Sequence, residues 1–206
     1  TLTLQEQRRI GFPWSPAMIE RSRRSAGATI AACRSAIVAG CGINLAGGTH
    51  HAHRAHGEGF CVFNDAVVAA RAMQAEGRVE RVLIVDLDVH QGDGTAWIAA
   101  DDPSIFTFSL HGRANFPFRK ANSDLDVEFA DDTGDAAYLS TLAVALPCAL
   151  AAARPQLAIY LAGADPFKGD RLGKLALTKA GLAARDRLVL QALHERDIAV
   201  AIAMAG

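Results

Sequence analysis

The side chains best suited to chemistry in this sequence are carboxylates and imidazoles grouped in short segments. Asp86, Asp88 and His90 alternate with apolar residues, so in an extended strand the three polar side chains would point the same way. Burying two carboxylates and an imidazole on one face is unfavourable by several kcal/mol unless a cation or a partner compensates them. Carboxylate oxygen and imidazole nitrogen suit zinc, with manganese and iron as alternatives. The competing interpretation is a solvated turn with one helix-capping Asp.

Asp165 is the natural third ligand for such a metal. It lies in the segment Gly163-Ala164-Asp165-Pro166, directly after another apolar run. Together with Asp88 and His90 it would leave coordination positions open for water and substrate, which a catalytic metal site requires.

Four of the seven histidines, at positions 50, 51, 53 and 56, lie within seven residues. His50 and His51 follow two glycines, which allow the backbone to turn sharply and approach a ligand closely. Two adjacent imidazoles beside an Asp-rich metal loop are suited to proton transfer, with nearby carboxylates adjusting their pKa values. The alternative is a solvated pair of histidines on the surface. His53 and His56 lie in a polar stretch, and we expect both to be solvated.

Two aromatic loops are candidates for the walls of a slot over the metal. They are Gly57-Glu58-Gly59-Phe60-Cys61 and Asn115-Phe116-Pro117-Phe118. Each alone is explained by loop packing, but together they could grip an apolar chain. We interpret Cys61 as a packed thiol rather than a nucleophile, because it lacks an assigned basic partner. The sequence contains no GxGxxG, Walker or GxSxG motif, so it lacks the motifs that usually indicate nucleotide binding or a serine hydrolase.

Alternating strands and helices must position these segments. Apolar runs typical of strands alternate with helical segments of ten or more residues, which indicates right-handed βαβ crossovers and a parallel sheet in an α/β fold. Ligands bind outside the carboxyl ends of such strands, and nearly all the polar residues above follow predicted strands. The predicted strands are 43–46, 81–88, 105–110, 157–162 and 198–204. The main predicted helices are 15–39, 64–76, 135–153, which Asp135 is expected to cap, and 178–195.

Length and composition limit the class of protein. The 206 residues fit one domain, and the hydrophobic content of 50% is ample for a core and rules out a disordered chain. The formal net charge of −1 provides no basic field for nucleic acid. No apolar run approaches the roughly 18 residues that span a bilayer, and the polar N-terminus lacks a secretory signal, so we expect a soluble protein. Four cysteines without CxxC pairing favour a reducing, cytoplasmic compartment.

Four motifs, in order along the chain, resemble the zinc-dependent histone deacetylase family, including its bacterial acetoin-utilisation and acetylpolyamine-hydrolase members. The resemblance runs from Ile37 to the end, and Gln91 and the segment 169–173 are similar to the class IV branch and its bacterial kin. It implies an arginase/deacetylase-like fold, a three-layer parallel sheet with helices on both faces. The motifs are Gly47-Gly48-Thr49-His50-His51, Gly59-Phe60-Cys61-Val62-Phe63-Asn64-Asp65, Val85-Asp86-Leu87-Asp88-Val89-His90-Gln91-Gly92-Asp93-Gly94 and Ala162-Gly163-Ala164-Asp165.

This resemblance implies one catalytic zinc and two histidines paired with carboxylates. His51 would be the general base and acid at the attacking water, with Asp93 as its carboxylate partner. His50 would pair with Asp86 and give electrostatic support. The zinc ligands would be Asp88, His90 and Asp165.

The resemblance also implies a substrate tunnel and a second cation. Phe60 and Phe116 would line a tunnel for the acyl-lysine chain, and the carbonyl of Gly59 could accept the substrate N–H. A structural monovalent cation, usually potassium in the family, would be held by Asp86, Asp88, Ser109 and the carbonyls of His90 and Leu110.

Both ends of the sequence depart from the family pattern. Members carry a Tyr within Gly-Gly-Tyr after the last strand, where it polarises the acyl carbonyl, whereas this sequence ends at Met204-Ala205-Gly206. Tyr138 and Tyr160 are predicted to lie in a helix and in a strand, so neither can substitute. We expect residues 1–206 to be a single domain that lacks the family's N-terminal strand and C-terminal segment. The strand at 198–204 is predicted to be central and to bring Gly206 to the rim of the metal pocket.

The sequence therefore predicts a hydrolase, a zinc-dependent deacetylase acting on an acyl amide, above all acetyl-lysine in a protein or a small acylated amine. Neither nucleic acid nor a membrane is an expected partner. One alternative is a catalytically impaired acyl-lysine binding domain, which would bind zinc without turnover. The other is a dinuclear manganese ureohydrolase, a family that shares the fold but needs further carboxylates near Asp165.

Overall fold

A computed structural model describes residues 2–205 of the chain. Its frame is a parallel β-sheet with helices on both faces. The described strands are β1 (Cys41–Asn44), β2 (Val82–Asp86), β3 (Ile105–Gly112), β4 (Leu125–Phe129), β5 (Leu157–Leu161) and β6 (Ala199–Ala203). They form one sheet in the order β1-β6-β5-β2-β3-β4, and each neighbouring pair is parallel. The predicted three-layer α/β fold is confirmed.

Local signals explain where the helices begin and end. The side chain of Ser15 accepts the N–H of Met18, and Pro16 occupies the first position of the long second helix, which ends before Gly40 at φ 84°. The described helices are α1 (Leu4–Ile10), α2 (Pro16–Ala39), α3 (Asp65–Ala75), α4 (Asp93–Ala99), α5 (Asp135–Ala153) and α6 (Lys179–His194). Helices α2, α3, α5 and α6 match the predicted ones to within two residues.

The structure corrects three details of the predicted elements. Strand β4 and the seven-residue helices α1 and α4 were not predicted, because each is too short to show a periodic apolar pattern. The first strand begins two residues earlier than predicted. Asp135 does not cap α5, whose N-cap is Gly134; its carboxylate instead accepts hydrogen bonds from the backbone N–H and hydroxyl of Thr178, at the start of α6.

Two hydrophobic layers cover the faces of the sheet. On one face, α5 and α6 pack against the sheet through side chains that include Leu142, Leu146, Val189 and Leu193. On the other, α2 and α3 contribute small residues and Met73. Small side chains allow these two helices to approach each other and the sheet closely. Strands β2 and β5, at the centre of the sheet, are buried on both faces, as their continuous apolar runs predict.

Helix α5 is long and apolar enough to cross a membrane by length and composition alone. The expectation that no apolar run reaches roughly 18 residues is therefore wrong for 135–153. Tyr138, Leu142 and Leu146 of this helix are fully buried in the core. Core helices pass the same test, so one such helix is weak evidence for a membrane span.

The carboxyl ends of the strands lie at one edge of the sheet, which is where the functional loops emerge. Asp86 at the end of β2 is level with Ser109 of β3 and with Leu161 of β5. Strand β6 lies between β5 and the edge strand β1, so it is interior rather than central. Beyond it, Ala205 packs against Gly48, where an added Cβ would lie 2.3 Å from that of Ala205. Gly206, predicted to reach the pocket rim, lies outside the described residues.

Candidate active site

Three of the predicted metal ligands meet at the carboxyl edge of the sheet. Asp88 and His90 lie in the loop after β2, and Asp165 lies in the loop after the neighbouring strand β5. Their ligating atoms all lie within 4.8 Å of one another. Nδ1 of His90 is 3.0 Å from Oδ1 of Asp88 and 3.1 Å from Oδ2 of Asp165. The parallel order of the strands brings together residues that are 75 positions apart in the chain.

The predicted alternation of side chains along one strand is not what clusters these ligands. Strand β2 ends at Asp86, so the alternation of side chains along a strand does not orient Asp88 and His90. Backbone hydrogen bonds orient the carboxylates instead. The N–H of His90 donates to Oδ1 of Asp88 at 2.8 Å, and the N–H of Val89 donates to Oδ1 of Asp165 at 2.9 Å. Asp86 belongs to a different pair, described below.

The chemistry of this group fits a divalent cation. Asp88 and Asp165 are both buried, and burial together with the charge of Asp88 raises the pKa of Asp165 to about 6. Burial would lower the pKa of His90, but its hydrogen bonds to Asp165 and Asp88 outweigh that effect and raise the pKa to about 9. The site therefore favours a positive charge between two carboxylates, and two oxygens with one nitrogen are suitable zinc ligands.

Two buried histidines beside this group each contact their own carboxylate. Nδ1 of His50 lies 2.7 Å from Oδ2 of Asp86, and Nδ1 of His51 lies 2.7 Å from Oδ1 of Asp93. The two imidazole rings are adjacent, with centroids 4.1 Å apart. The structure thus forms both of the carboxylate–histidine pairs that the sequence predicts.

The two imidazoles differ in pKa because their surroundings differ. Burial opposes a charge on His50, but the negative charges of Asp86 and Asp88 outweigh it and raise the pKa of His50 to about 10. Burial and then the positive charge of His50 lower the pKa of His51 to about 4. The pKa values of the two adjacent rings are thus shifted in opposite directions, a division seen where two titratable groups have different roles.

A cavity of about 560 Å³ opens onto these residues, and its lining includes Gly59, Phe60 and Phe116. The ring of Phe116 meets that of His51 edge-on at 4.8 Å. Phe60 is 58% exposed and is held by its N–H, which donates to the carbonyl of Ile10 at 2.7 Å. The two aromatic loops therefore do form walls of one cavity, as the sequence predicts.

Gly59 is in a position that only glycine fits. Its φ is +54°, and an added Cβ would lie 2.7 Å from Cδ2 of His51. Its carbonyl accepts a hydrogen bond from the Cys61 thiol at 3.3 Å. Cys61 is buried, and burial raises the pKa of its thiol, which agrees with the interpretation of Cys61 as a packed thiol rather than a nucleophile.

The residues assigned to a monovalent cation are near one another at the ends of β2 and β3. Asp86 and Ser109 are register partners and are both buried. The N–H of Asp88 donates to Oδ1 of Asp86 at 3.2 Å. Ser109 itself contacts Nδ1 of His111 through its hydroxyl at 2.9 Å. Leu110 is also buried, and the potassium site remains a prediction.

The two tyrosines lie where the sequence predicts, in α5 and β5, and neither lines the cavity. The hydroxyl of Tyr160 contacts Oδ1 of Asp186 at 2.5 Å. The hydroxyl of Tyr138 is buried without a hydrogen-bond partner. Among residues 2–205, therefore, no tyrosine is placed to polarise a bound carbonyl.

Sequence reasoning missed the functional importance of two buried charged residues. Asp65, 1% exposed, accepts the backbone N–H groups of Gly48 and Thr49 at 3.1 and 2.7 Å, so it holds the loop that leads to His50. Arg185, 2% exposed, donates through Nη1 to the carbonyls of Leu87 at 3.1 Å and Gly163 at 2.7 Å.

Arg185 therefore joins the two loops that carry the metal-ligand group. A signal for it was present in the sequence, since Gly181, Arg185, Val189 and Leu193 recur every four residues and are the buried residues of α6. A charged residue within such a stripe must find buried partners.

Comparison with known proteins agrees with these observations. Residues 3–206 match the family model described as "Histone deacetylase domain". An uncharacterized protein of Picosynechococcus sp. is 48% identical over all 206 residues, which make up 69% of its length. Histone deacetylase 2 of Arabidopsis thaliana is 34% identical over 187 residues, covering 89% of this chain and 48% of its own. Polyamine deacetylase HDAC10 of Rattus norvegicus is 38% identical over 147 residues, covering 63% of this chain and 25% of its own.

A solved structure extends the comparison to three dimensions. The HDA15 HD domain superimposes with a TM-score of 0.74 at 29% identity, covering 90% of this chain and 58% of that chain. The present chain thus spans between a quarter and about two thirds of the length of the proteins it matches.

Proposed function

This chain belongs to the histone deacetylase family, and on that premise we propose that it is a zinc-dependent hydrolase that removes an acyl group, above all acetyl, from lysine or a related amine. The observation that carries the proposal is the meeting of Asp88, His90 and Asp165 within 4.8 Å beside two carboxylate-paired histidines. A bound zinc would act as a Lewis acid toward the acyl carbonyl and provide a nucleophile at neutral pH.

His51 is the group proposed to move the proton. Because Nδ1 of His51 contacts Asp93, Nε2 is the ring nitrogen that can exchange a proton with a molecule in the cavity. A neutral imidazole can take a proton from the attacking water and return it to the leaving amine. Asp93 fixes the tautomer and orientation of the ring, as carboxylates do in other histidine-based sites. His50, whose pKa is raised by the negative charges of Asp86 and Asp88, would stabilise negative charge that develops on the substrate.

The cavity walls are proposed to select the substrate. Phe60 and Phe116 present apolar surface to the methylene chain of an acylated amine, and the Gly59 carbonyl can use its remaining lone pair to accept the substrate N–H. Both an acetylated lysine in a protein and a small acylated polyamine fit this description. The name of the rat relative, a polyamine deacetylase, makes the small amine a substrate to be tested alongside acetyl-lysine.

A structural potassium ion is proposed beside the zinc, held by Asp86, Asp88, Ser109 and the carbonyls of His90 and Leu110. The support is the register that places Asp86 next to Ser109. A buried carboxylate at the end of β2 with a neighbouring hydroxyl and strand-end carbonyls provides hard oxygen ligands.

The test is turnover of an acetylated lysine peptide and of an acetylated polyamine by zinc-loaded protein. The His51→Ala variant should lose activity and retain zinc, whereas His194→Ala, at the last position of α6, should behave as wild type. Equal activity of His51→Ala and wild type would remove His51 from the mechanism. Stoichiometric zinc with no turnover of either substrate would favour the alternative, an acyl-lysine binding domain.

The dinuclear manganese alternative predicts a different metal content. Within the described part of the chain, the group at the end of β2 contains three ligands, and Asp86 is already paired with His50. Two manganese ions per chain after purification, with activity on a guanidino substrate, would overturn the proposed function.

A further inference from the structure

A second group of metal-ligating side chains lies at the side of the active-site cavity. The ligating atoms of His53, His56 and Glu58 all lie within 4.8 Å of one another. Nε2 of His56 is 3.4 Å from Oε2 of Glu58, and the rings of His53 and His56 are stacked with centroids 4.4 Å apart. We propose that these three residues form a second metal site, which binds a divalent transition metal such as zinc, nickel, cobalt or copper.

The burial of these side chains differs from the sequence prediction. His53 and His56 were expected to be solvated, but their side chains are only 16% and 34% exposed, and that of Glu58 is 29% exposed. A partly buried group of this kind is open to an ion from solution, and its interactions with the ion are screened less than those of fully exposed side chains.

The backbone holds the three residues in place before any ion binds. The N–H of His53 donates to the carbonyl of His56 at 2.9 Å. Glu58 and Cys61 exchange two backbone hydrogen bonds, at 3.0 and 2.8 Å. Because these turns fix the Cα positions, binding requires only rotation of side chains, which limits the loss of conformational entropy.

The ligand types determine which metals are expected. Two imidazole nitrogens and one carboxylate oxygen are a ligand set that proteins use for zinc, with a further position open to water. Magnesium and calcium prefer sites made only of oxygen. Affinity should therefore rise from manganese through cobalt and nickel to copper. Each metal should bind this partly buried site more weakly than the buried site of Asp88, His90 and Asp165.

Occupancy of this site would alter the cavity. Glu58 lines the cavity, and Nε2 of His53 lies 3.5 Å from Oδ2 of Asp93, the residue that contacts His51 through its other oxygen. A metal on His53 and Glu58 would add positive charge beside Asp93 and at the cavity wall. Inhibition by excess zinc is the expected consequence. That consequence rests on the proposed function, whereas metal binding at this site does not.

The test is a titration of metal-free, untagged protein with Co²⁺, followed by its visible absorption, and with Zn²⁺ by calorimetry. Wild type should bind two equivalents, one tight and one weaker. The double variant His53→Ala/His56→Ala should lose the weaker equivalent, with its affinity reduced more than about 10-fold. His194→Ala is the matched control and should keep both.

A second variant separates this proposal from the proposed function. Asp88→Asn/Asp165→Asn should lose the tight equivalent and keep the weaker one. If wild type binds one equivalent only, or if His53→Ala/His56→Ala retains both, the second site is refuted. Those results would leave the deacetylase proposal unaffected, because that proposal depends on the tight equivalent and on His51.

Discussion

Replacing Arg185 with Met should loosen the two loops that carry the metal-ligand group. The guanidinium is 2% exposed and donates to the carbonyls of Leu87 and Gly163, so Met would leave two buried carbonyls without partners. An unsatisfied buried acceptor costs about 1–3 kcal/mol. Asp186, the ionic partner of Arg185, has a side chain that is 40% exposed. Water can solvate it in the variant, so the loss of this ion pair adds little to the free-energy cost of the substitution.

The net loss of stability should be about 2–4 kcal/mol, because the methylenes of Met recover part of the packing that Arg185 provides. For a chain of this size that corresponds to a fall in Tm of about 5–15 °C. Metal affinity should fall about 10- to 100-fold, the usual effect of losing a group that orients metal ligands. Urea unfolding of the metal-free protein measures the first effect, and zinc titration of the folded protein measures the second.

Arg187→Met is the matched control, since Arg187 lies on the same helix and is exposed. Its stability should change by no more than about 0.5 kcal/mol. The loss of stability in Arg185→Lys should lie between those of Arg185→Met and Arg187→Met. An ammonium is a single compact donor centre and lacks the planar fork of the guanidinium. If Arg185→Met loses less than about 1 kcal/mol and binds zinc as wild type does, the two carbonyl hydrogen bonds do not hold the loops.

Three further perturbations test other parts of the site. His51→Ala should lower kcat by about 10²- to 10⁴-fold with zinc content unchanged; a loss of zinc along with activity would instead assign His51 to metal binding. Gly59→Ala should lower kcat/KM and destabilise the fold by about 1–3 kcal/mol, because its φ is +54° and the new Cβ would meet the ring of His51. Ala at Gly27, where nothing lies within 4 Å of an added Cβ, is the control, and equal losses at both positions would contradict the steric explanation. Zinc at 100-fold above its Kd should stabilise metal-free protein by about 2.7 kcal/mol in a thermal melt, and an equal rise with magnesium would indicate a different ligand preference.

Much of the frame and of the metal group followed from local sequence patterns. Strands β2, β5 and β6 are largely continuous apolar runs, and such runs in alternation with helices predict a parallel sheet whose central strands are buried on both faces. The rule that functional loops follow the carboxyl ends of such strands then placed Asp88, His90 and Asp165 at one edge. The pairs His51–Asp93 and His50–Asp86 came from motif resemblance, and the structure brings each pair within 2.7 Å.

The tertiary structure alone decided which polar groups are buried and what they contact. Arg185 meets the carbonyl of Leu87 across 98 residues of sequence, and no local pattern identifies a partner at that distance. His50 and His51 are neighbours of the same type, yet Asp86 and Asp88 raise the pKa of His50, whereas burial and the charge of His50 lower the pKa of His51. His53 and His56 appear solvated in sequence because their neighbours are polar, but the packing of their loop beside the cavity removes much of that solvent. Periodicity encodes which face of an element is apolar, whereas the free energy of a buried charge depends on partners that only the folded chain brings together.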